Sequence, residues 1–212
     1  KERLQVVLWA TRGQHTLEAE VVDPTGKVLI TSAAVAFTVQ APSADAPAGP
    51  SARIVEAMNR GVSLMGQYQY DPAAAAFQEA LRADPQLAEA KVNLAIALFN
   101  RNRKEDHDLD TASKLLNEVL AAAPGNLRAL YFKGILLQHF GKAEEAVRCF
   151  EQVVQQRPQD GAAWYMLGLC KERIGQPAEP ELVKALEHRP YLFSAYYKLF
   201  QIASRQENDA KA

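Results

Sequence analysis

Few residues in this 212-residue chain have the types and spacing that catalytic or metal chemistry needs. The four histidines fall in different predicted elements, without the spacing of metal ligands: His15, His107, His139 and His188. Cys149 and Cys170 fall in successive predicted helices, where buried small hydrophobes are common, so we expect structural thiols. The sequence contains no phosphate-binding loop, dinucleotide fingerprint, metalloprotease motif or nucleophile elbow. We therefore expect no cofactor, no metal and no catalytic activity in this chain.

One acidic run, Asp106-His107-Asp108-Leu109-Asp110, begins like a calcium-binding loop. Thr111 stands where such a loop needs a glycine for its sharp turn, and Asn117 stands where it needs a bidentate glutamate. Basic residues lie just ahead of the run. A charged, solvated loop between two helices is the better interpretation.

The charge balance excludes two classes of partner. Lys and Arg number 24 and Asp and Glu 25, which gives a net charge of −1. A nucleic-acid-binding protein needs a surplus of cations, and so does a polybasic membrane surface. No apolar run approaches the ~18 to 20 residues of a membrane-spanning helix. We expect no nucleic acid as a partner and no membrane insertion.

Residues 1–40 have the pattern of a small antiparallel β segment. Apolar and polar residues alternate over His15–Val22, which is typical of a half-buried strand. Asp23-Pro24-Thr25-Gly26 predicts a turn, residues 27–31 and 35–39 predict two further strands, and Leu4–Trp9 is a candidate for another. A small sheet of this kind needs a cover for its apolar face.

The spacing of Gly13, His15 and Leu17, followed by Val35-x-Phe37-x-Val39, resembles the last strands of a bacterial immunoglobulin-like sandwich. More than half of a seven-stranded sandwich is missing, so either it lies upstream of Lys1 or the strands pack on the rest of the chain. The resemblance favours a bacterial cell envelope or periplasm as the location. Because the first residue is not Met, we expect an excised piece or a processed product. Three prolines among small residues predict a linker over 41–51.

The chain from residue 52 onward repeats itself. Four blocks share a large residue, a small-large pair and a proline at fixed spacing: Phe77-x-x-Ala80-Leu81-x-x-x-Pro85, Leu116-x-x-Val119-Leu120-x-x-x-Pro124, Phe150-x-x-Val153-Val154-x-x-x-Pro158 and Leu182-x-x-Ala185-Leu186-x-x-x-Pro190. The prolines are 39, 34 and 32 residues apart. Helix breakers divide each block in two at Gly66, Asn102, Gly141 and Gly175.

These blocks resemble the tetratricopeptide repeat, a helix–turn–helix unit of 34 residues, most closely at Trp164-x-x-Leu167-Gly168 and over residues 127–160. The resemblance implies a mainly α fold: a right-handed superhelix of four helix–turn–helix units plus a terminal helix, preceded by the small antiparallel β segment. The predicted units are 52–87, 88–126, 127–160 and 161–192, with the last helix at 193–206. Gly134 and Gly168, with Ala95 in the second unit, would allow close approach of two helices.

In this family the first helix of each unit lines a concave groove that meets ligand. The matching candidates for partner binding are Asn93, Ile96, Phe99, Arg128, Tyr131, Ile135, Tyr165, Leu169 and Tyr197. Three of them, Tyr131, Tyr165 and Tyr197, are 34 and 32 residues apart and form a ladder of one tyrosine per unit. The alternatives are that these rings only pack the helices together, or that the strands of residues 1–40 occupy the groove.

Some relatives in this family clamp a peptide's terminal carboxylate with Lys and Asn residues. Of the matching positions, Glu56, Arg60, Asn93, Arg128 and Phe132, only Asn93 and Arg128 fit. The sequence therefore predicts a groove for an extended or helical apolar segment, oriented by Asn93 and Arg128.

The function that the sequence predicts is a non-catalytic scaffold for protein–protein interaction, with another protein or a peptide as the partner. Two alternatives stay open. The chain is the docking or regulatory arm of a larger enzyme whose catalytic domain lies outside it, or it forms a homo-oligomer through a β edge or the last helix.

Overall fold

The computed structural model describes residues 13–17, 20–22, 28–31, 35–39, 50–101 and 107–209. The chain divides into two compact units, Lys1–Gly49 and Pro50–Ala212. The candidate binding residues all belong to the second unit.

The described residues of the first unit form four strands: β1 (Gly13–Leu17), β2 (Glu20–Val22), β3 (Val28–Thr31) and β4 (Val35–Val39). β1 pairs antiparallel with β4, and β2 pairs antiparallel with β3. The single strand predicted over His15–Val22 is thus wrong, because its two halves pair with different neighbours, which an alternating pattern does not reveal. Leu4–Trp9, the Asp23–Gly26 turn and the linker up to residue 49 lie outside the described residues. The immunoglobulin-like resemblance stays a prediction.

The described part of the second unit holds nine helices, arranged as four pairs and a last helix. They are α1 (Pro50–Gly66), α2 (Tyr70–Ala83), α3 (Ala88–Asn100), α4 (His107–Ala122), α5 (Leu127–His139), α6 (Ala143–Gln156), α7 (Gly161–Arg173), α8 (Glu179–His188) and α9 (Phe193–Asp209). The predicted mainly helical fold is confirmed. α1 begins at Pro50, inside the predicted linker, because proline is favoured in a first helical turn. In the described ranges, none of the helices has the length and apolarity to cross a membrane.

The acidic run predicted as a solvated loop is helical from His107 onward. Asp108 and Asp110 lie in the first turn of α4, where carboxylates interact favourably with the helix dipole. Asp108 also accepts hydrogen bonds from Arg101 at the end of α3, and both side chains are largely buried, at 17% and 18% exposure. The loop prediction is therefore wrong for 107–110, while residues 102–106 lie outside the described residues.

The large residue of each repeat lies at the centre of its helix pair. Phe77, Leu116, Phe150 and Leu182 are completely buried. A Cβ atom on Gly134 would lie 2.7 Å from Phe150 Cζ, and one on Gly168 would lie 3.1 Å from Leu182 Cγ. Their predicted role in close helix approach is confirmed.

The turn between the paired helices takes a left-handed residue in three of the units. It is Gly141 in the third unit and Gly175 in the fourth, with φ of 75° and 73°. In the first unit Tyr68 takes this conformation at φ 60°, and the predicted breaker Gly66 is instead the last residue of α1. The predicted breaker Asn102 lies outside the described residues.

Candidate functional site

The predicted partner-binding residues all lie on the first helix of a unit or on the last helix. Asn93, Ile96 and Phe99 are on α3; Arg128, Tyr131 and Ile135 are on α5; Tyr165 and Leu169 are on α7; Tyr197 is on α9. The fold therefore distributes them over four helices. They differ widely in exposure.

The α3 candidates are mostly enclosed. Asn93 and Ile96 are buried, at 4% and 7% exposure, because α3 is covered along almost its whole length. Phe99 is half-buried, and its ring meets the His139 ring edge-to-face at a centroid distance of 5.7 Å. Phe99 thus offers more accessible surface than Ile96.

Two candidates from successive units touch each other. Arg128 Nη2 donates a hydrogen bond to Asn93 Oδ1 at 2.5 Å. The amide nitrogen Nδ2 of Asn93 is buried and has no hydrogen-bond partner among the residues that the structure describes. A buried donor without an acceptor costs about 1 to 3 kcal/mol, and a ligand oxygen reaches this one only when the Asn93 side chain turns outward.

Tyr131 combines packing with access to a cleft. Its ring lies edge-to-face against Phe132 and Phe150, at centroid distances of 5.5 and 5.6 Å. Burial, and then the negative charge of Asp160, raises the pKa of its hydroxyl, so the group stays protonated at neutral pH. Tyr131 also lines a cleft of about 700 Å³.

The other two tyrosines have different surroundings. Tyr165 is half-buried against a cluster that contains Leu182 and Ala195. Tyr197 is 64% exposed. The ladder therefore runs from packed rings on α5 and α7 to an open ring on α9. Ile135 and Leu169 are half-buried between these tyrosines along the chain.

Exposed aromatic residues surround Tyr197. They lie in α9 and the turn before it, and their exposures exceed one half: Tyr191, Phe193, Tyr196, Tyr197 and Phe200. We call this set the α9 aromatic face. A contiguous aromatic surface of this kind is typical of a contact with another protein.

Charged residues join the first helix of the fourth unit to α9. Glu172 forms ion pairs with Lys198 at 2.8 Å and with Arg205 at 3.1 Å. On the other side, Arg173 donates to the Gln138 carbonyl oxygen at 3.5 Å. Glu172, Lys198 and Arg205 are thus occupied by one another, and Arg173 is occupied by a backbone carbonyl group.

Both cysteine side chains are buried, and Cys170 belongs to an apolar cluster. Burial raises the pKa of Cys149, and it raises that of Cys170 to about 11. Over the described ranges, no group of three or more His, Cys, Asp or Glu residues is placed to hold a metal ion.

Sequence reasoning missed the residues that complete the Tyr131 cleft. Gln156, Arg157 and Asp160 come from the end of α6 and the turn into α7, and they face Asn126 and Arg128 at the start of α5. The one sequence feature that could have indicated them is Arg157, which precedes the repeat proline Pro158. The repeat pattern requires no particular residue type at that position.

Family models agree with the helix pairs. Residues 58–106 and residues 104–174 each match a model described as tetratricopeptide repeat. Together the two matches run from the middle of α1 to the end of α7.

One curated relative matches part of the chain. Protein NPG1 of Arabidopsis thaliana is 30% identical over 86 residues, which is 41% of this chain. The match covers 12% of NPG1, so the chain corresponds to a small part of that protein.

Solved structures share the fold. MamA from Desulfovibrio magneticus RS-1 gives a TM-score of 0.65 at 22% identity, over 75% of this chain and 88% of MamA. PilF of Pseudomonas aeruginosa gives 0.63 at 20% identity, over 76% of each chain. The first TPR of Spaghetti (RPAP3), bound to the HSP90 peptide SRMEEVD, gives 0.53 at 21% identity, over 58% of this chain and 97% of that one. The helices therefore form a TPR-like superhelix.

Proposed function

We propose that this chain, whose residues 58–174 are tetratricopeptide repeats, is a non-catalytic scaffold for protein–protein interaction. It binds a peptide or apolar segment of a partner along the first helices of its units. We further propose that the superhelix is right-handed, with these helices on its concave side.

The observation that carries this proposal is the unsatisfied amide of Asn93. Within the described part of the chain the Nδ2 group is buried without an acceptor, and Arg128 holds the other end of the same amide. With the Asn93 side chain turned outward, a carbonyl or carboxylate oxygen of a bound peptide would accept from Nδ2 and relieve the cost of the missing hydrogen bond. Arg128 then fixes the orientation of the amide.

Apolar surface near this pair suits a peptide's side chains. Phe99, Tyr131, Ile135 and Leu169 are half-buried, so each keeps part of its surface for contact. The bound HSP90 peptide in the RPAP3 structure shows that a TPR of this fold accommodates a peptide in that protein. The tyrosine ring offers a large contact at low entropic cost.

The test is to capture a partner with the full chain and to measure its affinity by calorimetry. Tyr131→Ala and Tyr165→Ala should each cost about 1 to 2 kcal/mol of binding, which is roughly tenfold in affinity. Tyr131→Phe keeps the ring and serves as the matched control for packing. Unchanged affinity together with a lower melting temperature would make the ladder structural and the site assignment wrong.

Self-association is a second candidate, which the α9 aromatic face supports. Tyr191 and Phe193 are 86% and 77% exposed, and they lie beside other exposed aromatic side chains. Grouped exposed apolar residues are typical of a contact surface, whereas single ones are common on any protein. Light scattering of the full chain, compared with a Phe193→Ser variant, tests it. A monomer at all concentrations contradicts this candidate.

Two further features of the function are proposals from resemblance alone. The β segment favours a bacterial cell envelope or periplasm, which cell fractionation tests. If the chain is the docking arm of a larger enzyme, its own binding activity is the same. Reading the coding sequence on either side of this chain tests that alternative.

A further inference from the structure

Two adjoining clefts open where second helices end and first helices begin. The larger, the Tyr131 cleft, has a volume of about 700 Å³, and its neighbour has about 620 Å³. They share Gln156, Arg157 and Asp160, so they form one continuous depression. We call it the arginine cleft, because Arg128, Arg157 and Arg189 line it.

Two of these arginines have free head groups. In the described part of the chain, neither Arg157 nor Arg189 takes part in a side-chain hydrogen bond or an ion pair. Each follows the end of a second helix, Arg157 after α6 and Arg189 after α8. Their guanidinium groups are available to a ligand.

The aliphatic part of Arg189 is held in place by a glycine. A Cβ atom on Gly161 would lie 2.7 Å from Arg189 Cγ and 2.8 Å from the Ala185 carbonyl oxygen. Only a residue without a side chain therefore lets Arg189 lie against the start of α7. This contact orders the stem of the arginine before any ligand arrives.

The acidic lining residue of the cleft has its main acceptor occupied. Asp160 Oδ1 accepts hydrogen bonds from the Ala162 and Ala163 backbone N–H groups at 3.1 and 3.0 Å. It caps α7, so one oxygen serves the helix. With three arginines and one aspartate among its lining residues, the cleft is positive, in a chain whose net charge is −1.

Repeat packing does not require arginine at these two positions. The residue before the repeat proline is Asp84 in the first unit, Ala123 in the second, Arg157 in the third and Arg189 in the fourth. The cleft lies where the two arginines are. Neither Arg157 nor Arg189 belongs to a first helix. They are therefore separate from the first-helix residues, such as Asn93 and Arg128, that form the proposed groove.

We propose that the arginine cleft binds the carboxylate side chains of an acidic peptide segment, with Arg157 and Arg189 donating charge-assisted hydrogen bonds to them. Guanidinium groups match carboxylates with paired N–H donors. The inference rests on the proposed function, since it names the chemistry of one end of the partner. A nucleic acid fits less well, because three cations in one cleft do not make a continuous track for a phosphate backbone.

The probe is a fluorescein-labelled peptide of eight alternating Glu and Asp residues, with its Gln and Asn counterpart as the neutral control. Anisotropy of the full chain in about 50 mM salt measures both affinities, and about 300 mM salt should weaken the acidic peptide. Arg157→Ala combined with Arg189→Ala should weaken its binding at least about tenfold. Arg157→Lys combined with Arg189→Lys keeps the charge but loses the paired donors. Its affinity for the acidic peptide should lie between those of the unchanged chain and the double Ala variant.

Arg82→Ala is the matched control, because Arg82 is also a cation at the end of a second helix but lines neither cleft. It should change affinity by less than about twofold. Equal binding of the acidic and neutral peptides overturns the proposal. So does a double Ala variant that melts lower but binds unchanged, since the arginines would then only stabilise helix ends. An RNA oligomer or a phosphopeptide that binds more tightly through the same arginines also overturns it. The proposed function fails separately, if tyrosine substitutions leave affinity for a captured partner unchanged.

Discussion

Phe150 lies so close to Gly134 that a methyl group on the glycine would overlap the ring. The added carbon would lie 2.7 Å from Cζ and 2.8 Å from Cε2 of a completely buried side chain. Gly61 and Phe77 repeat the relationship in the first unit. Each pair sets the distance between the two helices of its unit.

Gly134→Ala is therefore expected to lower the free energy of unfolding by about 1 to 3 kcal/mol, since the enclosed ring cannot move aside. Gly66→Ala is the matched control, because a Cβ there meets nothing within 4 Å. It should leave stability unchanged or raise it by up to about 1 kcal/mol, from helix propensity. Denaturant titration measures both. Equal losses would show that the repeat register is wrong.

The Arg101–Asp108 ion pair, which joins the two helices of the second unit, is expected to contribute to stability. Asp108→Asn removes the charge from a largely buried pair, and we expect a loss of about 1 to 2 kcal/mol. The exposed pair Arg60–Glu79 is the control, and Glu79→Gln should change stability by less than about 0.5 kcal/mol. Thermal melts of both variants check this. Similar melting temperatures would mean that the Asp108 pair contributes no more than a surface pair.

Asn93→Leu should separate stability from binding. Leucine removes the buried donor without leaving a cavity, so the free energy of unfolding should hold or rise by about 1 kcal/mol. Affinity for a captured partner should fall, since the ligand loses its donor. Asn93→Ala, which leaves a void, should lower stability. If Asn93→Leu destabilises the chain as much as Asn93→Ala does, the amide is structural.

The cysteines should resist thiol reagents in the folded chain. The thiolate is the reactive form, and burial raises the pKa of Cys170 to about 11, so at pH 8 almost all of it is protonated. Cys170 is fully enclosed and Cys149 is 8% exposed, so Cys149 should react first. Ellman's reagent at pH 8, with and without denaturant, measures both rates. Rapid reaction of two thiols in the native chain would contradict this.

The repeat register could be predicted because each unit uses the same packing residues at fixed spacing. The large residue, here Phe77 or Phe150, and the proline after it are visible in the sequence. Gly61 was missed because the first unit lacks the Trp-x-x-Leu-Gly pattern that marks Gly168 in the fourth. The start of α4 was misjudged because aspartates favour both a solvated loop and a first helical turn.

The candidate site was harder to predict, because its contacts join residues from different units. Resemblance to a family placed Asn93 and Arg128 on neighbouring helices, but it could not show that one side chain bonds the other and leaves Nδ2 without an acceptor. Arg157 and Arg189 fall at a position of no fixed residue type. The sequence could not show that Arg157 and Arg189 line two clefts that share residues, because this depends on how the units pack.

The main apolar cluster under the first helices of the array is larger than the cluster under its last helix. We expect this difference to set the order in which the helices unfold locally. One cluster runs from Met58 on α1 to Phe132 on α5, whereas the cluster under α9 has only Ala178, Leu182 and Ala195 as its buried members. In a chain of units that contact only their neighbours, the unit with the weakest interface opens most often. Among the described helices, we therefore expect the backbone amides of α9 to exchange with deuterium first and those of α3 to exchange last.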